Sequence, residues 1–271
     1  GPDHDGMYSF NSPVEEQWVH HALMDVILAH NILLTDDRID SCKIGICGIS
    51  WGSVIVSLAI GYDNRYAFAI PLYGSAFLGY QTKVITDIFR KKKVKELWSA
   101  EDRIDKVHFP VLWLCALKDS AFCCYSNSRS YLATKKEGSY LSIQADMIHC
   151  HGAAWGREES YRFADCVLQG KLPFIKAVTE PQGFEHVHFK IEIPKDFENV
   201  FVRLVYLKEP FTYAESGEPL FEYHTAQAVL DGDTVTAEIP KDVCSYFIEM
   251  SGESGGERMV STTSLVMREE S

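Results

Sequence analysis

The stretch KIGICGISWGSVIVSLAI, residues 43–60, decides the fold of this 271-residue chain. Its first part, residues 43–47, is a short apolar run typical of a buried strand, and residues 54–60 form a mostly apolar run typical of a helix. Between them stands a Gly-x-Ser-x-Gly pattern, residues 48–52, with Ser50 at its centre. In this strand–turn–helix context the pattern predicts a nucleophile elbow, in which the serine occupies a strained turn and the glycines let the strand and the helix approach it.

The position of Ser50 at the start of a helix is a second reason to expect a reactive hydroxyl. Backbone N–H groups and the positive end of the helix dipole point toward any charge that develops beside this serine. The Trp51 N–H is the donor expected to stabilise an oxyanion there. The alternative is a tight turn in which Ser50 only caps the helix.

A nucleophilic serine needs a base, and the base needs an acid that orients it. Asp119 follows an apolar strand predicted at residues 111–116, and His149 follows another predicted at residues 140–144. Both lie at the carboxyl ends of strands, where open α/β sheets bind ligands, and they follow Ser50 in the required order. We therefore predict Ser50 as the nucleophile, Asp119 as the orienting acid and His149 as the general base.

Each of these residues has a competing interpretation. An aspartate after a strand is often only a turn residue, and His151 competes with His149 for the role of base. A metal site built from His149, Cys150 and His151 with Cys123 and Cys124 fits no common zinc spacing. We predict no metal and no cofactor.

The periodicity of the sequence changes along the chain. From about residue 12 to residue 172, helical patterns alternate with short apolar runs, which is typical of a parallel sheet flanked by helices. From about residue 177 onward, apolar and polar residues alternate between turn signals, which predicts a small antiparallel β-sandwich. The polar stretch at residues 179–183 is the predicted boundary.

Together these segments resemble the α/β-hydrolase fold, and within it esterases of the acetylxylan-esterase and dienelactone-hydrolase type. The resemblance is carried by residues 48–52, 63–74, 117–119 and 147–155. It implies a partial α/β-hydrolase catalytic domain at residues 1–178, the C-terminal portion of that fold, and a β-sandwich accessory domain at residues 179–271.

The resemblance also implies a reaction and a substrate class. We expect a serine ester hydrolase that acts through a Ser-His-Asp triad and an acyl-enzyme, on small acyl esters, such as acetyl esters, of carbohydrates. Tyr73, Phe122 and Trp155, which lie just past the predicted strands, are candidates for the substrate pocket. The alternatives are a prolyl-oligopeptidase-type serine peptidase and a truncated, non-catalytic homologue that serves in binding or assembly.

The chain departs from the complete fold before the elbow, where about four strands and their helices are expected. Strand 43–47 would then expose one edge. We predict that this edge is covered by an upstream segment, by a second copy in a homo-oligomer, or by part of the first ten residues. The second oxyanion donor would be missing as well, which typically costs about 2.7 to 4 kcal/mol in the transition state.

Composition limits the partners and the location. The formal net charge is −12, which argues against binding to nucleic acid or to an anionic membrane. No segment approaches the length of a membrane span, and no signal peptide opens the chain. The eight cysteines lack the density of a disulfide scaffold. A cytoplasmic location is therefore expected if the chain begins where its gene begins.

Overall fold

A computed structural model describes residue 6 and residues 10–81, 83–135 and 138–268. The helices are α1 (Trp18–Leu34), α2 (Trp51–Tyr62), α3 (Lys83–Phe89), α4 (Lys92–Trp98), α5 (Cys124–Thr134), α6 (His151–Trp155) and α7 (Glu158–Leu168). The strands are β1 (Gly45–Ile49), β2 (Phe68–Leu72), β3 (Leu112–Ala116), β4 (Tyr140–Gln144), β5 (Lys176–Ala177), β6 (His186–Glu192), β7 (Glu198–Leu207), β8 (Tyr223–Gln227), β9 (Val229–Asp231), β10 (Thr234–Glu238), β11 (Ser245–Ser254), β12 (Glu257–Thr262) and β13 (Val266–Met267).

The first four strands form a parallel sheet in the order β1-β2-β3-β4. The five residues of β3 are buried, as are those of β2 and β4, because helices cover both faces of the sheet. Helices α1 to α5 pack on the face that carries Trp113 and Cys115. Helices α6 and α7 pack on the opposite face, against Leu112 and Leu114. The α/β sheet with flanking helices predicted from the sequence is confirmed.

The C-terminal strands extend this sheet rather than form a separate body. Strand β12 pairs antiparallel with β4, with Thr262 opposite Leu141, and β11, β7 and β8 follow in order. Ser142 reinforces the junction, because its hydroxyl donates to the Val260 carbonyl at 2.6 Å. One sheet of nine strands therefore runs across the boundary predicted at residue 178, and the division of the chain into two domains there stays a prediction.

The predicted antiparallel sandwich is present only in part. A second sheet, in the order β5-β6-β10-β9, packs against the C-terminal strands of the main sheet. The apolar core between them includes Val187 and Phe189 from the small sheet and Leu204 and Ile248 from the large one. The large-sheet layer of this sandwich is the continuation of the parallel sheet.

Strand β1 forms one end of the main sheet and, among the described residues, pairs only with β2. An apolar cavity of about 250 Å³ lies beside it toward α6 and α7, and another of about 410 Å³ lies between it and helices α1 and α2. The first ten residues are one of the predicted covers for this edge. Of these, residues 1–5 and 7–9 lie outside the described part of the chain. No helix in the described ranges is long and apolar enough to cross a membrane.

Candidate active site

Ser50 lies on a sharp turn between β1 and α2, as the elbow pattern predicts. Its backbone has φ 56° and ψ −119°, a conformation that costs a residue with a side chain about 1 to 3 kcal/mol. The turn is held from both sides. The Ser50 N–H donates to the Leu72 carbonyl at 3.0 Å, and the Ser50 carbonyl accepts from the Ser53 N–H at 2.9 Å.

Two glycines make room for this turn, and only one of them belongs to the pattern. A Cβ on Gly48 would overlap the Gly52 carbonyl, and a Cβ on Gly74 would lie 2.5 Å from the Ser53 hydroxyl oxygen. At Gly52 itself a Cβ would meet nothing within 4 Å. Close packing at the elbow therefore depends on Gly48 and on Gly74, which sequence analysis did not single out. The signal available was a glycine two residues after β2.

The structure brings Ser50, His149 and Asp119 into one chain of hydrogen bonds. The Ser50 Oγ lies 2.8 Å from the His149 Nε2, and the His149 Nδ1 lies 2.8 Å from the nearer Asp119 oxygen, Oδ2. A carboxylate only accepts hydrogen bonds, so the proton resides on Nδ1 and leaves Nε2 to accept from the serine hydroxyl. This is the arrangement in which an imidazole can take a proton from a nucleophile.

Asp119 is held by the backbone of its own loop. It is fully buried, and its Oδ1 accepts from the N–H groups of Ala121 and Phe122, each at 2.7 Å. These two bonds fix the plane of the carboxylate, so that Oδ2 faces His149. The position of Asp119 after β3 follows from the sequence, but no sequence pattern indicates that the next residues orient its side chain.

Two aromatic rings pack near the imidazole. The Tyr73 ring centroid lies 4.3 Å from that of His149, and the Phe122 ring is stacked with the imidazole at 6.0 Å. Both rings are buried, at 0% and 2% exposure. They therefore support His149, and their place in the substrate pocket stays a prediction. Burial, with the neighbouring Cys150 and Asp119, raises the pKa of Tyr73 to about 12.

Comparison with known proteins places this geometry in a family. Residues 7–168 match the prolyl oligopeptidase family, and this match covers more than half of the chain. The chain belongs to the prolyl oligopeptidase family. No curated protein sequence matches it. The match agrees with the serine hydrolase expected from the sequence and leaves open whether the substrate is an ester or a peptide.

Solved structures similar to this family member include peptidases and an esterase. Dipeptidyl peptidase 4 of Porphyromonas gingivalis is 18% identical over 56% of this chain and 23% of its own, with a TM-score of 0.47. A puromycin-hydrolyzing peptidase of Mycobacterium tuberculosis is 20% identical over 56% of this chain and 26% of its own, with a TM-score of 0.46. Acetyl xylan esterase 1 from Thermoanaerobacterium sp. JW/SL YS485 is 17% identical over 62% of this chain and 59% of its own, with a TM-score of 0.45. The chain spans about a quarter of the length of the two peptidases.

Two predicted residues of this family member lie outside the hydrogen-bonded chain. His151 is exposed and begins α6, whereas His149 makes the contacts with Ser50 and Asp119. Trp155, at the end of α6, is 57% exposed and lines the 250 Å³ cavity beside β1. The short helix carries the Trp155 side chain over β1 and β2, and its place in the substrate pocket stays a prediction.

Proposed function

We propose that this chain is the catalytic part of a serine hydrolase that cleaves carboxylic esters or amides through an acyl-enzyme. The observation that carries the proposal is the hydrogen-bonded chain from Ser50 through His149 to Asp119, with both links at 2.8 Å. Membership of the prolyl oligopeptidase family supports it.

In the first half of the proposed reaction, the Ser50 Oγ attacks the substrate carbonyl carbon while the His149 Nε2 takes its proton. The negative charge that forms on the carbonyl oxygen is stabilised by the Trp51 N–H, which lies at the first position of α2 and at the positive end of its dipole. Asp119 stabilises the imidazolium from the other side. His149 then gives the proton to the leaving group, and the acyl group remains on Ser50.

In the second half, water repeats the same sequence of steps. His149 takes a proton from the water as its oxygen attacks the acyl carbon, and the proton passes to the Ser50 Oγ as the bond to the acyl group breaks. The product is a carboxylic acid, and the enzyme returns to its starting state. No step requires a cofactor.

For the substrate we propose a peptide, because the family match covers residues 7–168, which include Ser50, Asp119 and His149. The second candidate is a small acyl ester of a carbohydrate, which the resemblance of the elbow region to acetyl esterases supports. The same hydrogen-bonded chain serves both bonds, since ester and amide hydrolysis share the acyl-enzyme. A panel of aminoacyl-proline anilides beside acetylated xylo-oligosaccharides separates the two.

The test of the serine hydrolase itself is covalent labelling with a fluorophosphonate. Wild-type protein is expected to take up one equivalent, and Ser50→Ala none. Ser53→Ala is the matched control, because this serine lies one helical turn away with its hydroxyl buried, and it is expected to label like wild type. A folded wild-type protein that does not label would refute the proposal and favour the interpretation as a non-catalytic homologue used in binding or assembly.

We also propose that the edge of β1 that is unpaired among the described residues is covered in the working protein, by an upstream segment, by a second copy of the chain or by part of the first ten residues. The apolar cavities on both sides of the strand support this proposal, since exposed edges flanked by apolar surface promote association. The covering part is also the proposed source of the second oxyanion donor, which is typically worth about 100- to 1000-fold in rate. Sedimentation that finds a monomer with β1 uncovered would contradict it.

A further inference from the structure

Asp119 lies on a loop that the C-terminal half of the protein covers. This acid loop, residues 117–123, connects β3 to α5. Residues 208–222, which connect β7 to β8, lie against it from outside, and we call them the β7–β8 segment. The contact joins parts of the chain about a hundred residues apart: the ammonium of Lys118 in the acid loop lies 2.8 Å from the carboxylate of Glu222.

A second contact joins Gly217 to Ser120. A Cβ on Gly217 would lie 2.5 Å from the Ser120 carbonyl oxygen, so the two backbones meet with no space for a side chain. The Ser120 carbonyl and the Ala121 N–H belong to one planar peptide group. That N–H donates to Asp119 Oδ1 at 2.7 Å. Gly217 therefore packs against the carbonyl oxygen of the Ser120–Ala121 peptide, and the N–H of the same peptide orients the Asp119 carboxylate.

Tyr213, another residue of the β7–β8 segment, lies near the end of the acid loop. Burial, together with the neighbouring Cys123 and Cys124 thiols, raises the pKa of the Tyr213 phenol far above its usual range. Cys123 is the last residue of the acid loop and donates its backbone N–H to Gln81 at 2.8 Å. The β7–β8 segment thus lies against the loop at Lys118 and at Ser120, and its Tyr213 phenol lies near Cys123.

The β7–β8 segment is folded tightly enough to act as a support. Its N–H groups at Ala214 and Leu220 donate to the carbonyls of Glu218 and Thr212, both at 2.8 Å. Phe221 is 1% exposed and stacks edge-on with the Phe211 ring at 4.9 Å. A buried aromatic pair of this kind anchors the segment to the core of the protein.

We propose that the β7–β8 segment positions Asp119 for catalysis and that Gly217 is a positioning residue of the active site. The inference rests on the proposed function, in which Asp119 orients His149. It assigns a role in the reaction to the C-terminal strands, which lie outside the part of the chain that matches the family.

The test is Gly217→Ala, with Gly183→Ala as the matched control. Both glycines have left-handed backbones, with φ of +89° and +84°, but a Cβ on Gly183 would meet nothing within 4 Å. Both variants therefore carry the same backbone strain, and only Gly217→Ala displaces Ser120. We expect Gly217→Ala to lower kcat and the fluorophosphonate labelling rate by about 10- to 100-fold with KM unchanged. Gly183→Ala is expected to keep the wild-type values.

A double-variant cycle distinguishes positioning from general damage. If Gly217 acts through Asp119, then adding Gly217→Ala to Asp119→Asn causes no further loss of labelling rate. Losses that multiply would overturn the proposal, as would a folded Gly217→Ala that labels like Gly183→Ala.

Amide hydrogen exchange tests the same contact without activity. We expect the Ala121 and Phe122 amides, which donate to Asp119, to exchange faster in Gly217→Ala than in Gly183→Ala. If the fluorophosphonate does not label wild-type protein, the proposed function fails, and amide exchange alone tests the contact between Gly217 and the acid loop. Equal exchange rates in Gly217→Ala and Gly183→Ala would then overturn the inference.

A surface variant covers the case in which Gly217→Ala does not fold. Glu222→Gln removes the ion pair with Lys118, and Glu218→Gln removes an exposed carboxylate elsewhere on the segment. We expect Glu222→Gln to speed exchange of the Ala121 amide by up to about fivefold, which is the effect expected from losing a partly exposed ion pair. At high salt, which screens the ion pair, the exchange rates of Glu222→Gln and wild type should converge. No difference from Glu218→Gln at low salt would overturn the proposal.

Discussion

Replacing Gly74 by alanine tests whether the turn that carries Ser50 depends on the close approach of the Gly74 backbone. A Cβ at this position would lie 2.5 Å from the Ser53 hydroxyl oxygen and 2.9 Å from the Ser50 carbonyl oxygen. Non-bonded heavy atoms are most stable at about 3.5 Å, so the turn or strand β2 must shift by roughly 1 Å. A shift of this size near a reacting group costs about 100-fold in rate, and overpacking costs about 1 to 3 kcal/mol of unfolding free energy.

Gly52→Ala is the matched control, because Gly52 lies in the same motif but a Cβ there would meet nothing within 4 Å. Alanine stabilises a helix relative to glycine by about 0.5 to 1 kcal/mol, so this variant should be more stable than wild type and should label normally. The assay combines denaturant unfolding with the rate of fluorophosphonate labelling. If Gly74→Ala matches wild type in both measurements, the argument that the turn is tightly confined is refuted.

Three further predictions concern groups near and beneath the site. Burial opposes ionisation of Asp63, but hydrogen bonds from Arg65 and His30 lower its pKa to about 2; its ionised form therefore stabilises the fold above about pH 4, and the contribution is lost as pH falls toward 2. Asp63→Asn should accordingly lower the unfolding free energy by about 2 kcal/mol at pH 7 and by little at pH 2, and a constant difference across this range would contradict the assignment. The Tyr73 hydroxyl is buried without a hydrogen-bond partner among the described residues, so Tyr73→Phe should raise the unfolding free energy by about 1 kcal/mol, and a loss would show that the hydroxyl has a partner. Burial raises the pKa of Glu159, so Glu159→Gln should stabilise the protein above this raised pKa, with a gain that shrinks as pH falls through it and is gone below the ordinary carboxyl pKa; a gain that stays constant across this range would rule out this cause.

The parallel part of the fold could be predicted because its signals are local. Each buried strand appears as a short apolar run, and the strand predicted at residues 140–144 is β4 itself. The first strand begins and ends two residues later than predicted, at residues 45–49 rather than 43–47. The reason is a turn before it, in which the Asp40 side chain accepts from the Cys42 N–H at 3.0 Å. A turn of this kind depends on side-chain geometry that an apolar run does not record.

The pairing of β12 with β4 could not be predicted, because it joins residues more than a hundred positions apart. Alternating apolar and polar residues predict a strand with one buried face, but they do not specify its neighbour. The Ser142 hydroxyl donates to the Val260 carbonyl, but in the sequence Ser142 cannot be distinguished from any other polar residue in a strand. The continuous sheet was therefore missed.

Within the site, chain order predicted which side chains meet, and packing decided what surrounds them. Ser50, Asp119 and His149 follow from the order of strands. The placement of Tyr73 beneath His149 depends on its left-handed backbone, with φ 36°, and no sequence pattern predicts this for a tyrosine. Trp155 could not be placed either, because α6 has only five residues and its direction is set by tertiary contacts.

The central claim is that the hydroxyl of Ser50 gives its proton to His149 and to no other base. The most direct measurement compares the fluorophosphonate labelling rates of wild type, His149→Ala and His151→Ala. We predict that His149→Ala is slower by at least about 1000-fold and that His151→Ala, two residues away and exposed, is unchanged. Rapid labelling of a folded His149→Ala, or loss of labelling in His151→Ala alone, would contradict the claim.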